Sequence, residues 1–214
     1  MMNKIAIYGA GGFGCEVACL IEKINQRQPQ WELVGFYDDK LPAGTTTALG
    51  TVLGGIDALN SAEGPLGIVL AVRTPATLKA MRERITNPDV YFPNIIDPDV
   101  EILHPSTVHF GQGNIVATKC VFTIQSTIGD FNIFNTAVGT GHDNCIGNYN
   151  VFMQGVRISG DVHIGDENFF GMLSGAIQGV KIGNNTSFEP GSMVIRNTRD
   201  GLVYSGNPAR KTKI

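Results

Sequence analysis

The sequence has little charge. Asp, Glu, Lys and Arg make up 16% of its 214 residues, against roughly 25% in an ordinary soluble domain. The formal net charge is −3, so no general basic field favours nucleic acid or an anionic membrane surface. We therefore expect neither nucleic acid nor a membrane as a partner.

Cysteines and long apolar runs are also scarce. The four cysteines form no CxxC pair and no evident disulfide framework. Cys15 and Cys19 stand four residues apart on a predicted helix, where packing is their expected use. No apolar run reaches 18 residues, and Met1 leads into a strand without a charged and then apolar leader. These absences predict reduced cysteines and a cytoplasmic protein without membrane insertion.

The sequence does contain a repeat of six residues, reinforced every 18. Stepping back by sixes, its first rung falls near His104, and the last is Val194. Six residues suit one short strand plus a turn, and three such units close one triangular coil. A small or polar residue usually follows a rung by four places, where we expect the corner and its left-handed turn. The pattern predicts a parallel β-helix over about 104–196, with three series of rungs: Ile128, Ile146, Ile164 and Ile182; Phe134, Phe152, Phe170 and Phe188; Thr140, Ile158, Ala176 and Val194.

The first 98 residues predict a small βαβ-type domain with a parallel sheet, half of a Rossmann-like fold. Asp97-Pro98 marks the predicted boundary, so that residues 1–98 form one domain and residues 99–214 the other. The expected strands are Lys4–Tyr8, Leu33–Tyr37, Leu66–Val72 and Tyr91–Ile96, with helices over about Gly14–Asn25, over Gly55–Ser61 and after Thr74-Pro75, and a loop from Pro42 to Thr47.

A glycine-rich loop joins the first strand to the first helix. Gly9, Gly11 and Gly14 form a GxGxxG pattern, in which glycines allow a phosphate to approach the backbone at a helix N-terminus. Asp38 and Asp39 end the next strand and are expected to accept from a ribose or base. Fewer than 100 residues supply only one half of a dinucleotide fold, which favours a mononucleotide or sugar nucleotide over NAD. A tight turn without a ligand is the alternative.

His142 and Asp143 are the candidate catalytic residues. His142 follows Thr140-Gly141 and is predicted at an exposed corner of the β-helix. Histidine suits a general base, and a neighbouring carboxylate can hold its tautomer. The alternative is a solvated corner residue. The histidines of this sequence do not have an obvious spacing for a three-histidine zinc site like that of gamma-class carbonic anhydrases, and we expect no metal. The basic tail from Arg196 is either a solvated end or a site for a polyanionic cofactor.

The chain resembles the sialic acid O-acetyltransferase and bacterial sugar N-acetyltransferase family in four features. These are the six-residue ladder, the pair His142-Asp143, the closing motif over residues 206–210 (GNPAR) and the glycine-rich domain. The resemblance covers nearly the whole chain. It implies a left-handed β-helix, against the usual right-handed crossover, and a homotrimer with active sites between subunits. It also implies acetyl-CoA as donor, a nucleotide-linked amino sugar as acceptor, and His142 as the base supported by Asp143.

The resemblance also assigns binding residues. It implies that the glycine-rich loop, including Gly12 and Phe13, and the acids Asp38 and Asp39 hold the nucleotide. It places a backbone N–H of Gly160 near the thioester oxygen and Met172, Pro190 and Arg210 along the cofactor. The family commonly has histidine where this chain has Phe13, and often glycine where it has Arg73. The resemblance implies that the position of Phe13 lies near the acceptor and bears on the identity of the sugar, and that Arg73 bears on how the nucleotide is bound.

The expected function is therefore acetyl transfer from acetyl-CoA to an amino group of a nucleotide-linked sugar. O-acetylation of a sugar of the sialic acid type is the nearest alternative. A non-catalytic scaffold that binds sugar nucleotides is another, and acetyl-CoA binding would distinguish it. A nicotinamide oxidoreductase rests on the GxGxxG pattern alone and would require more sheet than this domain provides.

Overall fold

A computed structural model describes residues 2–212. The chain divides into two compact units. One comprises the chain up to Arg73 together with Thr77–Pro98, and the other comprises Thr74–Ala76 together with the chain from Asp99 onward. Within the described residues, no helix combines the length and the apolar character needed to span a membrane.

The N-terminal unit is built on one largely parallel sheet of six strands. The strand order is β3-β4-β2-β1-β5-β6, and only β3 runs antiparallel to its neighbour. The interior strand β5 is buried along its whole length, as expected of a parallel strand covered on both faces. The elements are β1 (Asn3–Tyr8), α1 (Gly12–Arg27), β2 (Trp31–Tyr37), β3 (Thr46–Thr47), β4 (Gly50–Gly54), α2 (Ile56–Asn60), β5 (Leu66–Leu70), α3 (Pro75–Arg84), β6 (Val90–Tyr91) and β7 (Ile95–Ile96).

Apolar stripes attach the helices to this sheet. On α1 the predicted stripe is confirmed: its buried residues include Val17, Leu20, Ile21 and Ile24. Each such aliphatic side chain contributes about 1.5–3 kcal/mol when fully buried. The packing expected for Cys19 is wrong, because this residue lies off the stripe and is exposed.

Three predicted boundaries of the N-terminal unit differ from the structure. Helix α1 begins at Gly12, two residues earlier than predicted, so that the glycine-rich loop supplies its first turn. The predicted loop at 42–47 ends in β3, which pairs with the unpredicted strand β4; β4 begins and ends in glycine and buries only Val52 of its longer side chains. The predicted strand Tyr91–Ile96 is split around Pro93, which has no backbone N–H to donate.

The second unit is a parallel β-helix. Its strands form three sheets, which we call A, B and C in the order in which each coil visits them. Sheet A contains β9, β12, β15, β18 and β21; sheet B contains β10, β13, β16, β19, β22 and β24; sheet C contains β8, β11, β14, β17, β20 and β23. The strands are β8 (Glu101–Ile102), β9 (Val108–Phe110), β10 (Ile115–Val116), β11 (Val121–Phe122), β12 (Ser126–Ile128), β13 (Ile133–Phe134), β14 (Gly139–Thr140), β15 (Cys145–Ile146), β16 (Val151–Phe152), β17 (Arg157–Ile158), β18 (His163–Ile164), β19 (Phe169–Phe170), β20 (Gly175–Ala176), β21 (Lys181–Ile182), β22 (Ser187–Phe188), β23 (Met193–Val194), β24 (Val203–Ser205) and β25 (Arg210–Lys211), the last antiparallel to β24.

The predicted ladder fills the interior of the β-helix. Every sixth residue from Val116 to Val194 is buried, and the phenylalanines of sheet B stack on one another with centroids 4.7–4.8 Å apart. A second buried column consists of asparagines whose side-chain amides bond from coil to coil at 2.9–3.1 Å: Asn114, Asn132, Asn150 and Asn168. These bonds satisfy polar groups that would be costly to bury unpaired.

Three details of the ladder prediction are wrong. His104 is exposed and precedes a 3-10 helix, Pro105–Thr107. This turn lengthens the first coil, so that Ile102 pairs with Phe122 across 20 residues instead of 18. At the other end the structure continues after the sequence period is lost, because Tyr204 pairs and stacks with Phe188. The left-handed corner residue stands three places after the rung, not four, and it includes non-glycine residues such as Asp143 with φ 57°.

Candidate active site

His142 lies at the corner between sheets C and A, which we call corner C. Its Nδ1 is 2.7 Å from Oδ2 of Asp143, and both side chains are 49% exposed. A carboxylate only accepts hydrogen bonds, so in the neutral imidazole the proton is on Nδ1 and Nε2 has a free lone pair. The backbone of the corner is fixed by the next coil, since the Asp161 N–H donates to the His142 carbonyl at 2.8 Å.

Gly160 lies directly against the imidazole. A Cβ built on Gly160 would be 2.5 Å from His142 Nε2 and 2.6 Å from its Cε1. The position of the ring therefore depends on the absence of a side chain one coil later. The Gly160 N–H has no hydrogen-bond acceptor within residues 2–212, and it is the donor that the family resemblance assigns to the thioester oxygen.

The other predicted cofactor residues lie elsewhere on the β-helix. Met172 and Pro190 are exposed on the corner between sheets B and C, which we call corner B, where the Gly191 N–H donates to the Met172 carbonyl at 2.8 Å. Arg210 is exposed on β25. Corners B and C flank the outer face of sheet C. Within one chain, therefore, the structure brings only Gly160 together with His142.

The glycine-rich loop divides into two kinds of glycine. A Cβ on Gly9 would be 2.8 Å from the Ala71 carbonyl oxygen, and one on Gly14 would be 1.9 Å from the Gly9 carbonyl oxygen, so these two glycines are required by packing. Gly11 and Gly12 face open space. Gly11 caps α1 without a side-chain bond, and the first turn has no acidic residue. The unpaired N–H groups of this turn suit an anion.

Asp38 and Asp39 already accept hydrogen bonds from the protein. Asp38 Oδ2 accepts from the Ala10 N–H at 2.9 Å, and its Oδ1 accepts from the next backbone turn, including the Lys40 N–H at 2.8 Å. Asp39 Oδ1 accepts from the Ile56 N–H at 3.0 Å. Both acids therefore shape the ends of the strands and loops, and their binding to a nucleotide stays a prediction.

Asp39 is the centre of a polar cluster that the sequence did not indicate. Its Oδ2 accepts from Tyr8 Oη at 2.8 Å and from Arg84 Nη1 at 2.6 Å. Burial acts to raise the pKa of Asp39, but the bonds from Arg84, Tyr8 and the Ile56 N–H outweigh it and lower the pKa below its ordinary value. Burial, and then the bond to Asp39, raise the pKa of Tyr8 far above its ordinary value, so Tyr8 remains a donor.

The two residues that depart from the family pattern contact each other. The Arg73 guanidinium carbon lies 5.3 Å from the centroid of the Phe13 ring, a cation–π contact. Phe13 lies in the first turn of α1, which follows β1, and Arg73 lies in the loop after β5, so the contact is at the carboxyl ends of adjacent parallel strands, where ligands bind in open α/β sheets.

Metal binding has no support in the described part of the chain. No group of three or more His, Cys, Asp or Glu side chains between residues 2 and 212 is arranged to hold a metal ion. His109 and His163 are exposed on β9 and β18 of sheet A, and Nε2 of His163 is 3.5 Å from Oδ1 of Asp161.

The PglD N-terminal domain family matches residues 4–85. A comparison with curated protein sequences gives no significant match. Among solved structures, the acetyltransferase domain of PglB from Neisseria gonorrhoeae FA1090 is 27% identical with a TM-score of 0.89, covering 98% of this chain and 100% of that one. The same domain in complex with acetyl coenzyme A is 28% identical, with a TM-score of 0.88 over 99% and 100% of the two chains.

Two further structures share the fold. WeeI from Acinetobacter baumannii AYE is 25% identical with a TM-score of 0.87, covering 99% of this chain and 100% of that one. A perosamine N-acetyltransferase from Caulobacter crescentus, in complex with CoA and GDP-perosamine, is 23% identical with a TM-score of 0.81 over 100% and 99% of the chains, a likeness of fold. Residues 4–85 are therefore similar to the PglD N-terminal domain family, and the chain as a whole has the fold of these bacterial acetyltransferases, an α/β domain followed by a left-handed parallel β-helix.

Proposed function

We propose that this protein transfers the acetyl group of acetyl-CoA to an amino group of a nucleotide-linked sugar. The observation that carries the proposal is corner C, where the 2.7 Å contact to Asp143 leaves Nε2 of His142 as a proton acceptor beside Gly160. Similarity to the PglB acetyltransferase domain, which binds acetyl coenzyme A, supports the donor. The sequence resemblance supports the acceptor class, and the perosamine N-acetyltransferase with GDP-perosamine has the same fold.

The chemistry needs one base and one oxyanion donor. The acceptor nitrogen attacks the thioester carbonyl carbon while Nε2 of His142 removes its proton. Asp143 keeps Nδ1 protonated and stabilises the imidazolium that forms. The Gly160 N–H, which has no acceptor within residues 2–212, stabilises the developing oxyanion. Collapse of the tetrahedral intermediate breaks the carbon–sulfur bond, and the proton on His142 passes to the departing thiolate of CoA.

The two parts of the chain take different substrates in this proposal. Residues 1–98 bind the nucleotide through the first turn of α1, where a side chain at Gly11 or Gly12 would meet no other atom within 4 Å, so a ligand can approach the backbone. Residues 99–214 carry the acetyl transfer, with the basic tail near Arg210 meeting the phosphates of CoA. Phe13 and Arg73 contribute to the acceptor site and adapt it to a sugar different from those taken by relatives with histidine in this loop.

A homotrimer would complete the cofactor site. Met172 and Pro190 lie on corner B, whereas His142 and Gly160 lie on corner C. Corner B of one subunit facing corner C of its neighbour would bring both sets against one molecule of acetyl-CoA. Mixing inactive His142→Ala chains with inactive Met172→Glu chains should then restore part of the activity. Mixed trimers that remain inactive would contradict a shared site.

The direct test measures CoA release by thiol detection. The acceptors are UDP-, GDP- and dTDP-linked 4-amino sugars and free sialic acid. Release with one amino sugar, reduced roughly 10²-fold to 10⁴-fold in His142→Ala, supports the proposal. Release with sialic acid alone would change the assignment to O-acetylation. If no acceptor gives CoA release and calorimetry detects no acetyl-CoA binding, a non-catalytic scaffold would be favoured.

A further inference from the structure

The strand order of the N-terminal unit reverses at β1. The chain passes from β1 to β2, β3 and β4 on one side of the sheet and returns to β5 on the other side of β1. In open α/β sheets, ligands bind at such a reversal, in the crevice outside the carboxyl ends of the strands. The floor of this crevice is closely packed. The Ala71 N–H donates to the Tyr8 carbonyl at 2.9 Å, and a Cβ on Gly9 would be 2.8 Å from the Ala71 carbonyl oxygen.

Phe13 stands at this crevice and outside the apolar stripe of its own helix. The buried residues of α1 begin at Gly14 and end at Ile24, and the Phe13 ring is only partly buried. The ring contacts the Arg73 guanidinium, whose central carbon is 5.3 Å from the ring centroid. This distance is within the range of about 6 Å for a cation–π contact. The contact with Arg73, and not the packing of α1 on the sheet, therefore accounts for a phenylalanine at this position.

The Arg73 guanidinium has no anionic partner in the described part of the chain. Although Arg73 is partly buried, its side chain forms no ion pair and donates no hydrogen bond to another residue between 2 and 212. A guanidinium has five N–H donors, and withdrawing them from water without an acceptor is unfavourable. The Phe13 ring attracts the face of the guanidinium, which leaves the donors at its edge for a ligand.

The acids that follow β2 do not neutralise Arg73. Asp38 Oδ2 accepts from the Ala10 N–H at 2.9 Å, and its Oδ1 accepts from the next backbone turn. Asp39 pairs with Arg84 at 2.6 Å. The crevice thus has acids on the β2 side and a cation without a partner on the β5 side. This polarity matches a nucleoside diphosphate, whose ribose hydroxyls donate to acids and whose diphosphate needs a cation.

We propose that Arg73, held in position by the Phe13 ring, binds the diphosphate of the nucleotide-linked acceptor. The edge of a guanidinium matches two phosphate oxygens through parallel hydrogen bonds. The N–H groups in the first turn of α1, which carries Phe13, add to the attraction. Arg73 is then a binding residue and Phe13 a positioning residue. This inference rests on the proposed acetyltransferase function for the identity of the acceptor, and it names the side chain that recognises the acceptor's phosphates.

Calorimetry on the full-length protein tests the contact without any sugar. The probes are UDP, GDP and dTDP, and each is compared with its nucleoside measured by competition. In Arg73→Gln we expect the Kd of the diphosphate to rise about 10-fold, the effect of losing one charge-assisted hydrogen bond at a partly exposed site. The Kd of the nucleoside should stay unchanged. An unchanged Kd for the diphosphate, or an equal loss for diphosphate and nucleoside, would overturn the inference.

A double-mutant cycle tests the positioning role of Phe13. Phe13→Leu keeps an apolar side chain but removes the ring, and we expect the Kd of the diphosphate to rise about 3-fold. Because Phe13 acts through Arg73, the double variant Phe13→Leu/Arg73→Gln should bind as Arg73→Gln alone does. Losses that add in the double variant would show that Phe13 acts independently, against the proposal.

Arg82 provides the matched control. Its guanidinium carbon is 4.5 Å from the centroid of the Phe92 ring in the same unit, and its Nη1 donates to the Ile85 carbonyl. Arg82→Gln therefore removes the same charge and the same kind of contact, and it should leave the Kd of the diphosphate unchanged. Equal losses in Arg82→Gln and Arg73→Gln would reflect net charge alone and contradict a specific contact.

Kinetics separate this inference from the proposed function. With an acceptor that gives CoA release, the KM for the acceptor should rise about 10-fold in Arg73→Gln, while kcat and the KM for acetyl-CoA stay unchanged. A rise in the KM for acetyl-CoA instead would overturn the inference and leave the function intact. If wild type releases CoA with no acceptor, the proposed function fails, but a diphosphate affinity that depends on Arg73 still supports the contact. Wild type that binds none of the three diphosphates overturns it.

Discussion

A single added methyl group at Gly160 should move the proposed base. In Gly160→Ala the new Cβ would be 2.5 Å from Nε2 and 2.9 Å from Cδ2 of His142. Ordinary van der Waals contact between carbon atoms begins at about 3.5 Å, so the ring must shift by about 1 Å. A misplacement of this size can reduce catalysis by about 10²-fold. We therefore expect kcat to fall about 10²-fold in Gly160→Ala.

Stability should change much less than activity. The backbone of Gly160 lies outside the left-handed region that would disfavour alanine. The imidazole is 49% exposed and can swing toward solvent, giving up only the half-exposed contact to Asp143, and exposed ion pairs contribute about 0–1 kcal/mol. The melting temperature should thus fall by no more than a few degrees.

Steady-state kinetics with thermal unfolding separate these effects. Gln178→Ala is the matched control, because Gln178 occupies the same place on corner C one coil later and its truncation adds no atom near His142. Wild-type kcat in Gly160→Ala would refute the argument that the imidazole acts from the observed position. A kcat loss accompanied by an equally large loss in folded protein would instead assign Gly160 to folding.

The remaining predictions concern stability. Phe152→Ala removes the centre of the aromatic stack, whose neighbours Phe134 and Phe170 lie 4.8 and 4.7 Å away. It should lower the free energy of unfolding, measured in urea, by about 3–5 kcal/mol. Phe169→Ala truncates the partly exposed residue beside the stack and should lower that free energy clearly less; equal losses would contradict the packing argument. Asp39→Asn weakens the bonds from Tyr8 and Arg84 and should destabilise the N-terminal unit by about 1 kcal/mol at pH 7, a figure reduced for the partial exposure of the pair. Because folding lowers the pKa of Asp39, the stabilisation by this carboxylate is fully present above its unfolded-state pKa of about 4 and is lost as the pH falls through the lower pKa of the folded state. The melting curves of wild type and Asp39→Asn should therefore converge in acid. A constant difference between them down to pH 2 would refute the assignment. Arg84→Gln should destabilise similarly, and the double variant should lose less than the sum of the two.

The β-helix was predictable because its stability is nearly one-dimensional. Each coil packs chiefly on its two neighbours, so a buried position recurs at a constant sequence distance and appears as a repeat. The stacked phenylalanines of sheet B and the bonded asparagines of the inner column follow directly from the 18-residue spacing. The ends of the ladder were less predictable. There a 3-10 turn at Pro105–Thr107 and the shortened coil before Tyr204 change the spacing while the stacking continues.

The candidate site was predictable only where its residues are close in sequence or one coil apart. His142 and Asp143 are adjacent, and Gly160 follows His142 by one coil length, so the period of the fold places them together. Arg84 meets Asp39 from 45 residues away, through a sheet and two helices whose packing no local pattern specifies. Arg157 lies across the outer face of sheet C because Gly139 lacks a side chain on the preceding coil. That arrangement also has the period of 18, so a glycine in the outward column of a β-helix indicates where a long neighbouring side chain can lie flat and present its charge.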